Sequence, residues 1–74
     1  MKMKVLVFRT SISGSDQVNR LTPLLDELMD INEKWNVDLE DCDNILRVEA
    51  ISLHPAAIIE NLQLAGVSCE ELED

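Results

Sequence analysis

Hydrophobic and polar residues alternate in short stretches of this chain, and a two-residue period predicts β-strands. Residues 3–9 form a first such stretch, residues 35–40 a second and residues 46–50 a third. Residues 41–44 have the composition of a turn, so the second and third strands are predicted to pair as a hairpin. A short last strand is predicted at residues 67–72.

A first helix is predicted between the first two strands, because its hydrophobic residues recur at intervals of three and four. These residues are Val18, Leu21, Leu25 and Leu28. We expect Ser13, Ser15 or Asp16 to cap its first turn. We also expect it to start early and to be irregular before Pro23, because proline lacks an N–H and its ring presses on the preceding turn.

A second helix is predicted to begin at His54-Pro55, since proline is favoured in a first turn. Its buried side carries Ile58, Ile59, Leu62 and Ala65. Gly66 follows and suits a left-handed C-cap.

The predicted order is therefore strand, helix, strand, strand, helix, strand. Two right-handed βαβ crossovers joined by a hairpin give an α+β, ferredoxin-like sandwich, in which two helices cover one face of a four-stranded antiparallel sheet. The 74 residues have room for one domain, residues 1–74. We expect the core to contain Met3 or Leu6, Val5, Val7, Val18, Leu21, Leu25, Leu28, Val37, Leu39, Leu46, Val48, Ile59, Leu62 and Ala65.

Four segments carry a resemblance to a known family. Residues 11–18 read Ser-Ile-Ser-Gly-Ser-Asp-Gln-Val, and residues 35–40 read Trp-Asn-Val-Asp-Leu-Glu. Residues 55–67 follow Pro-x-x-Ile-Ile-x-x-Leu-x-x-Ala-Gly-Val. Together with the spacing in residues 18–28, their order resembles the heavy-metal-associated domain of copper chaperones and metal-transporting ATPases. The resemblance implies the same βαββαβ fold, with a Cys-x-x-Cys metal site in the first loop.

The two positions that match the family's metal-binding cysteines hold Gly14 and Gln17. Thiolates suit the soft ion Cu(I), whereas glycine offers no side chain and glutamine offers a hard amide. We therefore expect a degenerate site with no metal and no cofactor. The alternative is a metal role for Cys69, or for acidic side chains, which favour hard ions. Cys42 lies in the predicted turn, and we expect the two cysteines to be too far apart to share an ion.

The formal net charge is −9, from 15 acidic and six basic residues. Nucleic-acid binding uses cationic side chains that release counterions from phosphate, so we expect no nucleic-acid partner. Anionic membrane surfaces would repel the chain, and no apolar run approaches the roughly 20 residues that span a bilayer. We find no signal-peptide pattern and expect a cytoplasmic location.

We expect no enzymatic activity, because the one histidine, His54, is predicted far from the serine-rich first loop. The sequence instead favours a binding module with an unidentified protein partner, and the acidic charge favours a basic one. One candidate interface is apolar and comprises Leu6, Phe8 and Ile45. The other is acidic and comprises Asp38, Glu40, Asp41 and Asp43.

A further alternative is an anion-binding loop at residues 9–16. Arg9 would supply a cation, and Ser11, Ser13 and Ser15 would supply hydroxyl groups beside the start of a helix.

Overall fold

The computed structural model describes residues 3–40 and 44–72, and the six elements follow in the predicted order. The four strands are β1 (Lys4–Thr10), β2 (Lys34–Asp38), β3 (Ile45–Ala50) and β4 (Cys69–Leu72), and the helices are α1 (Ser15–Leu28) and α2 (Pro55–Leu64). The strands form one antiparallel sheet in the order β2-β3-β1-β4. The predicted ferredoxin-like fold is confirmed. Neither helix is long and apolar enough to cross a membrane.

Both helices pack on the same face of the sheet, which we call the inner face. β1 and β3 pair so that Phe8 lies opposite Leu46 and Leu6 lies opposite Val48. Leu25 of α1 and Ile58 of α2 pack against this face, and both are fully buried. The core as a whole comprises Phe8, Ile12, Leu21, Leu25, Leu46, Val48, Ala50, Ile58, Leu62, Val67 and Cys69.

Several expected core residues lie elsewhere. Val5 is 56% exposed, because β1 directs Leu6 and Phe8 to the inner face and its odd-numbered residues to the other, outer face. Of the alternatives Met3 and Leu6, Leu6 packs against the core, and Met3, which precedes β1, is exposed. Leu39 lies beyond the end of β2, and Ala65 is the exposed C-cap residue of α2. The buried hydrophobic residues that the expected core lacked are Phe8, Ile12, Ile45, Ala50, Ile58, Val67 and Cys69.

Helix α1 starts early, as predicted, but the expected irregularity before Pro23 is wrong. The helix continues from Ser15 to Leu28 without a break. Pro23 and Asn19 are both exposed, so water has access to the turn in which proline removes a backbone donor.

The predicted side-chain cap of α1 is also wrong. Gly14 is the N-cap residue, and no side chain of the described residues caps it in the usual way. The amide oxygen of Gln17 instead accepts hydrogen bonds from the Ser13 N–H at 2.9 Å and from the Ser13 hydroxyl at 3.4 Å. This reach back from the third helical position resembles half of a capping box, shifted by one residue.

Helix α2 begins and ends as predicted. His54 is the N-cap residue and Pro55 opens the first turn. At the other end Gly66 has φ +83°, and its N–H donates to the Gln63 carbonyl at 3.0 Å, while the Val67 N–H donates to the Leu62 carbonyl at 2.8 Å. These two bonds are those of a Schellman motif.

Candidate functional site

Gly14 and Gln17, the two positions that the predicted resemblance matches with metal-binding cysteines, lie at the start of α1. Gly14 has extended backbone, with φ −174° and ψ 169°, and a Cβ built there would meet no other atom within 4 Å. The side chain of Gln17 is committed to Ser13, as described above. The two residues therefore act in this chain as a helix N-cap and its supporting hydrogen-bond acceptor, and neither presents a soft ligand.

The predicted anion loop is divided between two clefts, and Arg9 and Ser11 line the first of them together with Ser68 and Glu70. Arg9 lies on the outer face of β1, where it is in register with Glu70 of β4. Ser11 has a structural role, because its hydroxyl oxygen accepts a hydrogen bond from the Ser68 N–H at 3.0 Å and its own N–H donates to the Ser68 carbonyl at 3.1 Å. These bonds hold the loop after β1 against the start of β4.

The remaining part of that loop forms a shallow cleft at the beginning of α1. Ser13 and Ser15 line it together with Asp16, Gln17 and Arg20. The cation near these serines is therefore Arg20 and not Arg9. The carboxylate of Asp16 shares the cleft, which opposes the binding of an anion.

Cys69 lies on the inner face of β4, in register with Thr10, and is 9% exposed. Burial raises the pKa of its thiol to about 11, so the thiol is protonated at neutral pH. Metal binding needs the thiolate, and its formation here is disfavoured. Within residues 3–40 and 44–72, no three His, Cys, Asp or Glu side chains cluster in a way that could hold an ion. Cys42 lies outside the described residues.

The three residues of the predicted apolar interface are buried or half-buried. Phe8 is fully buried, and Leu6 packs partly buried against the core. Ile45 alternates to the outer face of β3 but is only 5% exposed. The apolar residues that the outer face does show are Val5 and the half-buried Val7, with Leu72 beside Val7.

Charges on the outer face are balanced among the described strand residues. Its cations are Arg9, Lys34 and Arg47, and its anions are Asp38, Glu49 and Glu70. Lys34 lies opposite Glu49, just as Arg9 lies opposite Glu70. An open cleft of about 420 Å³ on this face is lined by Val5, Lys34, Trp35, Asn36, Arg47 and Glu49. Because this face contributes no net charge, the formal charge of −9 comes from the rest of the chain.

Acidic residues are concentrated in the sequence on both sides of β2. The indole N–H of Trp35 donates to a carboxylate oxygen of Asp26 at 2.8 Å, so the end of α1 lies beside this strand. In the sequence, residues 26–40 contain six acidic residues and one basic residue, Lys34. We use the name acidic edge for β2, which ends at Asp38, together with Asp26, Glu27, Asp30 and Glu40.

The predicted acidic interface coincides with part of this edge. Asp38 is half-buried and its carboxylate accepts the Glu40 N–H at 3.1 Å, while Glu40 itself is exposed. Its two other predicted members, Asp41 and Asp43, lie outside the described residues.

Glu33 is a buried carboxylate that the sequence reasoning did not single out. It directly precedes β2 and is 6% exposed. One of its oxygens accepts the Asp30 N–H at 2.9 Å. The other accepts the N–H groups of Ile51, Ser52 and Leu53 at 2.7, 3.1 and 3.1 Å. Glutamate is rarely buried, and nothing in its local sequence distinguishes Glu33 from the acidic residues around it.

The four backbone donors set the ionisation of Glu33. Hydrogen bonds from Asp30, and then from residues 51–53, stabilise the carboxylate and outweigh the cost of burial, which lowers its pKa from about 4.5 to about 2. A general acid needs a raised pKa, so this carboxylate is not suited to that role. It instead ties the connection between β3 and α2 to the start of β2.

Comparisons of the chain with protein-family models, with curated proteins and with solved structures found no match. The resemblance to the heavy-metal-associated domain stays a prediction from the sequence pattern.

Proposed function

We propose that this chain is a non-catalytic protein-binding module that docks on a basic partner through its acidic edge. It retains a scaffold resembling the heavy-metal-associated domain but lacks that family's thiolate site. The segregation of charge carries the proposal. Apart from the balanced outer face, Asp26, Glu27, Asp30 and Glu40 flank β2 in the sequence, the carboxylate of Asp26 contacts Trp35 of the strand, and Lys34 is the one cation of residues 26–40.

The chemistry at the start of α1 supports the same reading. In the related domains this is where an ion would be held, but here Gly14 and Gln17 take part in starting the helix. Cys69 is a buried thiol with a raised pKa. The acidic edge carries carboxylates beside a strand, and their negative charge favours recognition of a cationic protein surface.

Docking through the acidic edge should be strongly dependent on salt. Partners captured from a lysate at low salt would be identified and purified, and their binding to this chain measured by calorimetry. We expect the affinity to fall at least tenfold when the salt concentration is raised about tenfold, because exposed charges are screened within about 10 Å at 0.1 M salt. The variant Glu40→Lys should weaken binding in the same way.

The matched control is Glu60→Lys, which makes the same charge change on exposed α2. It should leave the affinity within about twofold. A purified partner that binds equally at both salt concentrations, or a loss of affinity that is the same in both variants, would contradict docking through the acidic edge.

The same reasoning predicts that the protein forms no tight one-to-one complex with Cu(I), and that the double variant Gly14→Cys/Gln17→Cys does. The extended backbone of Gly14 accepts any residue and there is room for its Cβ. Both thiols would stand at a helix N-terminus, which lowers thiol pKa values. The measurement is titration of reduced protein against a competing chelator, with the two single variants as controls.

Either of two results would count against this account of the first loop. One is a tight wild-type complex that is lost on changing Gly14 or Gln17. The other is a folded double variant that binds no more tightly than the single variants, because the two positions would then not correspond to the family's cysteines. A wild-type complex lost only in Cys69→Ser would favour the alternative ligand.

A further inference from the structure

Strand β2 lies at an edge of the sheet. It pairs with β3 through Lys34–Asp38 on one side, and no other described element pairs with its opposite side. In an antiparallel pair, alternate residues direct both their N–H and their C=O groups away from the partner strand. β2 therefore presents a row of unpaired backbone donors and acceptors, which is a template for an added strand.

The opposite edge of the sheet is less suited to this role. β4 has four residues, and the first of them, Cys69, is buried on the core side. Helix α2 packs beside β4. The described hydrogen bond between α1 and β2 joins the side chains of Asp26 and Trp35 and does not use the backbone of β2. Of the two edges, β2 offers the longer described stretch.

The charges around β2 favour one kind of segment as the added strand. Four carboxylates of the acidic edge flank the strand in the sequence and a fifth, Asp38, ends it, while its one cation, Lys34, is already opposite Glu49. An approaching acidic segment would meet like charges, and the flanking carboxylates would repel those of a second copy of this chain. A segment that carries lysine or arginine would be attracted instead.

We propose that the free edge of β2 binds an extended, lysine- or arginine-bearing segment of a protein partner, which adds to the sheet as a fifth strand. The proposal rests on the proposed function and gives its binding mode. Main-chain hydrogen bonds supply the affinity, and alternate side chains supply the selectivity. On the outer side the added strand would lie beside Lys34, Asn36 and Asp38, and on the inner side beside the half-buried Trp35 and Val37.

The test is an NMR titration of the isotope-labelled protein with a short peptide of alternating lysine and valine. We expect the backbone amides of residues 34–38 to shift, and those that point away from β3 to become protected from hydrogen exchange. The control peptide has the same number of lysines and a proline at every third residue. It lacks some of the backbone N–H donors that strand pairing needs, whichever set of alternate residues faces β2. It should bind at least tenfold more weakly, and an alternating glutamate and valine peptide should not bind.

Two charge-reversal variants separate the edge from the rest of the surface. Glu27→Lys changes the residue after Asp26, whose carboxylate contacts Trp35 of β2, and should weaken binding of the lysine–valine peptide severalfold. Glu60→Lys on α2 makes the same change in net charge and should leave binding unaltered. Both residues are exposed and neither side chain takes part in a described hydrogen bond, so both variants should fold normally.

The outcomes distinguish this binding mode from the proposed function. Salt-sensitive binding that shifts signals of α1 or of the outer face, without protection in residues 34–38, would overturn strand addition and leave acidic docking standing. Equal binding of the glutamate peptide, or no binding of either lysine peptide at low salt, would overturn both. Protection of the same amides by self-association, without peptide, would assign the edge to a second copy and overturn the proposed occupant.

Discussion

The variant Phe8→Ala should lose about 3–5 kcal/mol of unfolding free energy, the largest effect that we expect from one truncation in this chain. Phe8 is fully buried in the centre of the inner face, opposite Leu46. Removing its ring loses the free energy of transfer from water and leaves a cavity that the packed surroundings refill only in part. Since small domains have a total stability of about 5–15 kcal/mol, this loss removes a large fraction of it.

Urea denaturation followed by circular dichroism and by the fluorescence of Trp35 measures this loss. The control is Val5→Ala on the same strand, because Val5 is 56% exposed on the outer face and its truncation should cost less than about 1 kcal/mol. A Phe8→Ala protein as stable as the control would show that Phe8 is not in the core.

The variant Glu33→Gln should lose about 2–3 kcal/mol of unfolding free energy at pH 7. Four backbone N–H groups donate to the carboxylate, and hydrogen bonds to a charged acceptor are stronger than those to a neutral one. In the amide, an NH₂ group replaces one of the acceptor oxygens and faces a backbone donor, so at least one buried group loses its partner. The surface variant Asp26→Asn, which keeps an acceptor for Trp35, should cost less than about 1 kcal/mol.

The contribution of Glu33 should disappear in acid. Its folded-state pKa of about 2 lies below the ordinary value of about 4.5, so the unfolded state binds the proton more readily than the folded state. The stabilisation is therefore fully present above about pH 5 and is lost as the pH falls towards 2. Unfolding free energies of the wild type and Glu33→Gln, measured across this range, should converge at the acid end. A difference that stays constant with pH would contradict the role of the charge.

Much of the fold could be predicted because its signals are local. The Pro55 and Gly66 positions that begin and end α2 depend on backbone preferences of single residues, and both predictions are confirmed. The bond between Gln17 and Ser13 is also local, since it joins residues four apart, and a search for capping boxes could have found it. The predicted serine and aspartate caps were wrong because glycine is also accepted as an N-cap.

Glu33 could not have been found in this way. Its donors at residues 51–53 lie 18 to 20 positions further along the chain. They converge on one oxygen only after the β2–β3 hairpin has brought the two segments together. The separation of charge has the same origin, because the sequence gives a total of −9 but not its distribution over the faces of a sheet.

The sequence by itself determined the order of the elements, because a two-residue period and a 3.6-residue period are properties of neighbouring positions. It did not determine which side of β1 faces the helices, because Leu6 and Phe8 on one side and Val5 and Val7 on the other are all hydrophobic. Tertiary packing decided this by placing Phe8 among Leu25, Leu46 and Ile58 in the core. Because both faces of β1 are apolar, the local pattern is the same whichever face is buried. Only the helices, which cover one face of the sheet, distinguish the two faces.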